Sequence, residues 1–118
     1  MGITYVHGVV RGTDGQEQTV DFLVDSGASY SLLPERVWKA IGLTPKRELE
    51  FRLADGTAVR RGVSECYFVL EHGEGHAPVI LGVLGDDQAL LGVVTLENLG
   101  LVFNPFSRTL QPMRLLLA

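Results

Sequence analysis

Short runs of apolar and β-branched residues, separated by turns that contain Gly and Asp, recur along the chain. The first two runs, at 3–10 and 19–24, flank an Asp14-Gly15 step that supplies the positive φ of a hairpin turn. A second Asp-Gly step, Asp55-Gly56, separates expected strands at 48–53 and 58–63 in the same way. Further strand-like segments are predicted at 65–70, 79–81, 88–94, 101–104 and 109–117, the last interrupted by Pro112. A polar loop is expected at 71–77.

Two interruptions of this pattern have helical character. Pro34 opens a short helix that places Val37, Trp38 and Ile41 on one face, and Gly42 ends it. A second helical turn is predicted at 95–99, ended by Gly100. The pattern therefore predicts an all-β fold class, mostly β with two short helices, arranged as a small closed β-barrel in a single domain covering 1–118.

Composition and charge narrow the classes of partner. The chain has 46% hydrophobic residues, enough to build a core, and 10 basic against 14 acidic side chains, a formal net charge of −4. Nucleic-acid binding depends on basic residues that neutralise phosphates, so a nucleic-acid partner is not expected. No apolar stretch approaches the roughly 20 residues that a membrane-spanning helix needs, and no membrane partner is expected. The expectation is a soluble protein, or a soluble domain of something larger.

The single cysteine, Cys66, cannot form a disulfide within the chain. This usage is compatible with a reducing compartment, and a cytoplasmic location is expected. Cys66 lies in the apolar run Cys66-Tyr67-Phe68-Val69, so the prediction is a buried structural thiol rather than a nucleophile.

The segment Leu23-Val24-Asp25-Ser26-Gly27-Ala28-Ser29 is the main candidate for chemistry. Asp25 follows three apolar residues directly and is expected at the edge of the core, where an unpaired charge is costly. A simpler interpretation is a capped turn, because Asp and Ser side chains accept hydrogen bonds from nearby backbone N–H groups. Both interpretations are open from these residues alone.

The wider sequence resembles the retroviral-type (retropepsin-like) aspartic proteases over residues 6–111. Leu23-Val24-Asp25-Ser26-Gly27-Ala28 matches the signature of their active-site loop, and Leu90-Leu91-Gly92 matches a second, weaker signature about 65 residues downstream. The hairpin Leu53-Ala54-Asp55-Gly56-Thr57 stands where that family has its flap. Val94 departs from the family pattern, which often has Asp or Asn at this position to anchor the second helix.

The resemblance implies an aspartic endopeptidase with Asp25 as the catalytic residue. Hydrolysis without a metal or covalent intermediate needs one carboxylate that accepts a proton from water and a second that donates one. Asp-Ser/Thr-Gly occurs only once in the chain, so the second carboxylate is expected from a second copy, and the active enzyme from a homodimer that acts on a peptide or protein substrate. No cofactor and no metal are implied. The alternative is a non-catalytic dimeric β-barrel that binds peptides or proteins with the same fold.

The resemblance also implies roles for the neighbouring residues. Ser26 is expected to hydrogen-bond across the dimer, Gly27 and Ala28 to admit substrate backbone, and Ser29 to contact it where viral members often carry an acid. Ala54, Asp55, Gly56 and Thr57 would form the flap. Leu90, Leu91 and Gly92 would support the Asp25 loop from below.

Two weaker features remain open. The run Glu71-His72-Gly73-Glu74-Gly75-His76 contains possible metal ligands, although a polar loop is the preferred interpretation. Lys46, Arg47, Arg52, Arg60 and Arg61 concentrate positive charge around the expected flap, either as a solvated hairpin or as an attraction for acidic substrates. The terminal runs 3–10 and 114–118 are candidates for the dimer interface, because exposed apolar ends tend to pair.

Overall fold

A computed structural model describes residues 3–114 and contains nine strands and two short helices within that range. In chain order they are β1 (Tyr5–Arg11), β2 (Glu17–Val24), β3 (Ser31–Leu33), α1 (Glu35–Ala40), β4 (Arg47–Arg52), β5 (Ala58–Leu70), β6 (Gly73–Leu81), β7 (Leu90–Leu91), α2 (Val93–Asn98), β8 (Leu101–Asn104) and β9 (Thr109–Pro112). The predicted fold class, mostly β with two short helices, is confirmed.

Seven strands form one sheet in the order β1-β2-β7-β3-β6-β5-β4. Strand β1 also pairs antiparallel with β5, from Val9 opposite Val69 to Arg11 opposite Tyr67. This pairing closes six strands into a ring and leaves β4 attached to β5 outside it. Strands β8 and β9 form a separate two-stranded sheet.

Both predicted Asp-Gly hairpins are present. Strands β1 and β2 pair antiparallel from Tyr5 opposite Leu23 to Arg11 opposite Glu17, and β4 pairs with β5 from Arg47 opposite Val63 to Arg52 opposite Ala58. Gly15 and Gly56 have φ values of 86° and 89°, a conformation that costs glycine little. The aspartate before each glycine caps its turn through a backbone N–H two residues later.

The polar loop predicted at 71–77 is wrong. Only Glu71 and His72 separate β5 from β6, because His72 adopts a positive φ of 70° and turns the chain within two residues. Gly73 and Gly75 are strand residues opposite Leu70 and Phe68. A Cβ at Gly73 would lie 2.9 Å from the carbonyl oxygen of Leu99. Glycine at this position therefore leaves room for the backbone that follows α2.

Other boundaries also differ from the prediction. The expected strands 58–63 and 65–70 are one continuous strand, β5, while β3 was not predicted because three residues carry too little alternation to be seen. The segment 88–94 contains only the two-residue β7, and α2 begins at Val93 instead of 95. Strand β9 ends at Pro112, and residues 115–117 of the expected last strand lie outside the described residues.

The hydrophobic core is enclosed by the ring of strands and covered by the two helices. Its fully buried side chains include Val10, Phe22, Leu33, Phe68 and Leu91. Among residues 3–114, three polar residues are buried as well: Ser31, Ser64 and Thr95. None of the helices within 3–114 has the length and apolarity to cross a membrane.

Candidate active site

Asp25 immediately follows β2 and is held against β7. Leu23 and Val24 pair in parallel with Leu90 and Leu91, and the backbone N–H of Asp25 donates to the carbonyl oxygen of Leu91 at 3.1 Å. The apolar residues on both sides of this pairing bury one face of each strand, which fixes their register. The pairing with β7 therefore fixes the position of Asp25 at the end of β2.

Hydrogen bonds within the Asp25 loop orient the carboxylate. The N–H of Gly27 donates to Oδ1 of Asp25 at 3.0 Å, and the N–H of Ala28 donates to the carbonyl oxygen of Asp25 at 3.1 Å. Asp25 is half-buried, whereas Ser26, Gly27 and Ser29 are exposed. A simple capped turn would have the same internal bonds, so the loop alone does not separate the two interpretations of this motif.

The start of α2 packs directly beneath the loop. The N–H groups of Val93 and Val94 donate to the carbonyl oxygens of Ala28 and Ser29 at 3.0 Å and 2.9 Å. A Cβ at Gly92 would lie 2.6 Å from backbone atoms of Ser29 and Tyr30, closer than real contacts allow. The structure thus brings the Leu90-Leu91-Gly92 segment and the Asp25 loop together, as the sequence predicts.

A buried polar cluster joins the two segments, and sequence reasoning missed it. Oγ of Ser31 lies 2.5 Å from Oγ1 of Thr95 and accepts a hydrogen bond from the N–H of Gly92 at 3.0 Å. Both side chains are fully buried. Val94 contributes only its backbone N–H here, so the hydroxyl of the next residue, Thr95, supplies the polar contact that Val94 lacks. The sequence signal that could have revealed this cluster is a hydroxyl residue within each of two apolar segments, Ser31 beside Leu32 and Thr95 beside Leu96.

The expected flap residues, 54–57, form the exposed tip of the β4–β5 hairpin. The tip is closed by a hydrogen bond from the N–H of Leu53 to the carbonyl oxygen of Thr57 at 2.7 Å, and Oδ1 of Asp55 accepts the N–H of Thr57 at 2.8 Å. Within residues 3–114, no hydrogen bond joins this tip to the Asp25 loop. The hairpin approaches the loop lower down, where the ring of Phe51 meets Tyr30 edge to face at 6.1 Å.

The positive charge near the hairpin is largely paired. Lys46 contacts Glu65 at 2.9 Å, Arg60 contacts Glu48 at 3.4 Å, and Arg61 contacts Asp86 at 3.7 Å. The hydrogen bond and charge of Lys46 hold the pKa of Glu65 below its usual value. These partners favour the solvated hairpin over an attraction for acidic substrates.

The candidate metal ligands in 71–76 do not converge. Glu74 accepts a hydrogen bond from the hydroxyl of Tyr67 at 2.8 Å, which raises the pKa of that hydroxyl. His76 packs edge to face on the same ring at 5.1 Å. Among the residues from 3 to 114, no three His, Cys, Asp or Glu side chains are grouped as a metal site.

Cys66 is a buried structural thiol, as predicted. It is 3% exposed, and burial raises its pKa from 9.0 to about 12. Because the folded pKa lies above the unfolded one, the neutral thiol favours the folded state below about pH 9, and this contribution is lost as the pH rises. We expect an aromatic disulfide reagent at pH 8 to label folded protein on the order of 1,000-fold more slowly than guanidinium-unfolded protein. Equal rates would place the thiol at the surface.

Sequence comparison shows the family to which the chain belongs. The profile of the aspartyl protease family matches residues 6–93, which include the Asp25 loop, the hairpin and Leu90-Leu91-Gly92. The chain belongs to the aspartyl protease family. None of the curated protein sequences matches it.

Structure comparison finds the same fold in a solved structure. The chain is similar to a retropepsin-like aspartic protease from Rickettsia conorii, with a TM-score of 0.54 and 19% sequence identity. The likeness covers 88% of this chain and 89% of that protein. The aspartyl protease profile stops at 93, so most of α2 and the β8–β9 hairpin lie beyond the matched residues.

Proposed function

We propose that this aspartyl protease family member is a homodimeric aspartic endopeptidase whose active site contains two Asp25 carboxylates, one from each subunit. The observation that carries the proposal is the position of Asp25: half-buried at the end of β2, with Oδ1 bonded to the Gly27 N–H at 3.0 Å. The loop that holds it is fixed from below by α2. Catalytic groups held by rigid strands and a supporting layer of hydrogen bonds keep the geometry that catalysis needs.

The reaction follows from two carboxylates that share one proton. Like charges so close together do not both ionise, so one Asp25 is an acid while the other is a base. The ionised carboxylate accepts a proton from water as its oxygen attacks the peptide carbonyl carbon, and the protonated one donates to the carbonyl oxygen. In the tetrahedral intermediate, the carboxyl that took the proton from water donates it to the nitrogen, while the other carboxylate accepts a proton from a hydroxyl of the intermediate. The C–N bond then breaks to give a carboxylic acid and an amine, and the two Asp25 side chains again hold one proton between them. Neither a cofactor nor a metal has a role in this scheme.

The residues around Asp25 have supporting roles in the proposal. Ser26, which is exposed, would bond across the dimer, and Gly27, Ala28 and Ser29 would present backbone and a hydroxyl to an extended substrate. The tip at 54–57 would close over the bound peptide as a flap and exclude water. All four residues of the tip are exposed, as expected of a mobile element.

A groove beside Ser26 is the surface that we propose for the second copy. It has a volume of about 630 Å³ and is lined mostly by apolar side chains, among them Val24, Val93, Leu96, Val102 and Phe103. Val93 and Val102 are 38% and 45% exposed. An apolar surface that adjoins the half-site is the feature that a subunit contact needs, because burying it excludes water from the shared site.

The interface predicted from the sequence, formed by the terminal runs 3–10 and 114–118, is only partly accessible. Strand β1 is paired with β2 along the whole of one edge and with β5 from Val9 to Arg11 on the other, so both edges are occupied over those three residues. Ile3 and Tyr5, at 69% and 55% exposed, remain accessible beside it. Of the other segment, 114–118, only Arg114 lies within the described residues.

Dilution tests the shared site directly. Peptide cleavage by the full chain, measured with a mixed peptide library between about pH 4 and pH 8, should be blocked by a statine-type transition-state mimic. Activity per chain should fall in proportion to concentration once the dimer dissociates, and sedimentation should show the dimer-to-monomer transition over the same range. Full activity of a proven monomer would contradict the shared site. Binding of peptide with no cleavage at any pH would favour a non-catalytic module.

The lone buried thiol supports a reducing compartment such as the cytoplasm.

A further inference from the structure

We propose that Ser31 and Thr95 are positioning residues that hold the Asp25 loop on the start of α2 through their paired hydroxyl groups. The inference rests on the proposed peptidase function, because the position it explains is that of the Asp25 carboxylate. Neither residue belongs to the motifs that identify the family in this sequence.

The burial of this pair is the first reason. Both side chains have no exposed surface, and a buried hydroxyl costs free energy unless it is hydrogen-bonded. The 2.5 Å contact between them, and the Gly92 N–H bonded to Ser31 at 3.0 Å, give each of these oxygens a hydrogen-bond partner. In the described part of the chain, no buried side-chain nitrogen or oxygen lacks a partner. Two apolar side chains would fill the same space without this requirement, so the polar pair specifies one arrangement of the two segments.

The place of the pair in the chain is the second reason. The loop leaves β2 at Asp25 and enters β3 at Ser31, and it is pinned near Asp25 by the bond to Leu91. At its other end, the Ser31 hydroxyl binds the N–H of Gly92 and the side chain of Thr95, which lies within the first turn of α2. Between these two points, only the backbone bonds from Val93 and Val94 fix the loop on the helix.

The same helix borders the groove proposed for the second subunit. Val93, Leu96 and Glu97 of α2 line that groove together with Ser26. A shift of α2 away from Ser31 would therefore move both the support of Asp25 and part of the subunit contact. This makes the Ser31–Thr95 pair a link between the dimer surface and the catalytic loop.

Thr95→Val tests the role with little change of shape, because it replaces the hydroxyl with a methyl group. We expect kcat to fall about 10- to 100-fold with KM within about twofold, since a misplaced catalytic group slows the chemical step more than binding. Thr95→Ser, which restores a hydroxyl, should recover kcat to within about threefold of wild type. Unchanged kcat in folded, dimeric Thr95→Val protein would overturn the proposal.

A matched pair of serine variants separates positioning from loss of stability. Ser31→Ala removes the central hydroxyl, while Ser64→Ala removes a hydroxyl from a serine that is 4% exposed on β5. Ser31→Ala should lower kcat at least tenfold, and Ser64→Ala should leave it within about twofold, even at equal thermal stability losses. Equal effects on kcat would assign both serines a merely structural role and overturn the proposal.

Hydrogen exchange distinguishes failure of this inference from failure of the proposed function. In wild type and Thr95→Val, exchange of the Gly92, Val93 and Val94 amides reports whether α2 stays fixed on the loop, independently of catalysis. We expect these three amides to exchange at least tenfold faster in Thr95→Val, while amides of the β1–β2 ladder stay unchanged. Unchanged exchange would overturn the inference. A wild-type protein that binds but never cleaves peptide would instead refute the proposed function, with the exchange result still deciding whether the pair fixes the loop.

Discussion

Asp25→Asn is expected to abolish peptide hydrolysis while the protein stays folded and dimeric. The asparagine amide has the same shape and can still accept the Gly27 N–H, which now bonds to Oδ1 at 3.0 Å. The asparagine can neither accept a proton from water nor share one with the same residue of the second subunit, so the acid–base cycle stops. We expect kcat/KM to fall by about 1,000-fold or more. Cleavage of a fluorogenic peptide identified from the library, with thermal unfolding measured in parallel, gives both values.

Asp14→Asn is the matched control. Oδ1 of Asp14 also accepts the backbone N–H of the residue two positions on, Gln16, at 3.1 Å, but in a hairpin turn outside the family motif. The activity of Asp14→Asn should stay within about twofold of wild type, because substitutions in exposed turns have small effects. Mixing wild type with excess Asp25→Asn protein should suppress activity, since mixed dimers hold one working carboxylate. Near-normal hydrolysis by Asp25→Asn would exclude Asp25 as the catalytic residue.

The parts of the fold predicted from the sequence are those in which local signals agree. The β1–β2 and β4–β5 hairpins combine alternating apolar residues with Asp-Gly turns, and α1 combines Pro34 at its start with Gly42 after its end. In each of these elements, neighbouring residues determine the conformation without help from distant ones. The closed ring was predictable only as an architecture, because the β1–β5 pairing joins distant segments, such as Val9 and Val69, which are 60 residues apart.

The errors lie where tertiary contacts decide. Gly73 and Gly75 are typical of a loop by composition, but both pair with β5 as strand residues, and Gly73 leaves room for the carbonyl oxygen of Leu99 just after α2. Strands β3 and β7 have three and two residues, and they exist through pairing with each other and with β6 and β2. Their alternation is too short to be recognised along the sequence.

The candidate site divides in the same way. The Asp25 loop and Leu90-Leu91-Gly92 were predictable because a motif carries them. The contact between Ser31 and Thr95 was not, because it joins residues 64 positions apart that look like ordinary strand and helix residues. At Val94, where the family often has Asp or Asn, the side chain cannot anchor α2 through a polar contact. In the structure, the hydroxyl of the next residue, Thr95, makes a polar contact with Ser31 instead.

Gly92→Ala is expected to destabilise the protein and to impair the site at the same time. Its new Cβ would stand 2.6 Å from Ser29 O and from the carbonyl carbon and oxygen of Tyr30, all of them backbone atoms that cannot move aside as a side chain would. Relief requires α2 and the Asp25 loop to separate, which strains the bonds from Val93 and Val94. Overpacking of this kind costs about 3 kcal/mol, and we expect Tm to fall by on the order of 10 °C. Thermal unfolding followed by circular dichroism measures the loss.

Gly75→Ala is the control that separates steric conflict from any general effect of removing a glycine. Gly75 lies in β6, and the nearest atom to a Cβ there would be a Leu99 methyl carbon at 3.7 Å, an ordinary contact. Alanine also loses less conformational freedom on folding than glycine, so Gly75→Ala should leave stability unchanged or raise it by about 0.5 kcal/mol. If Gly92→Ala unfolded at the same temperature as Gly75→Ala, the close packing of α2 beneath the Asp25 loop would be wrong, and with it the support on which the proposed position of the catalytic carboxylate depends.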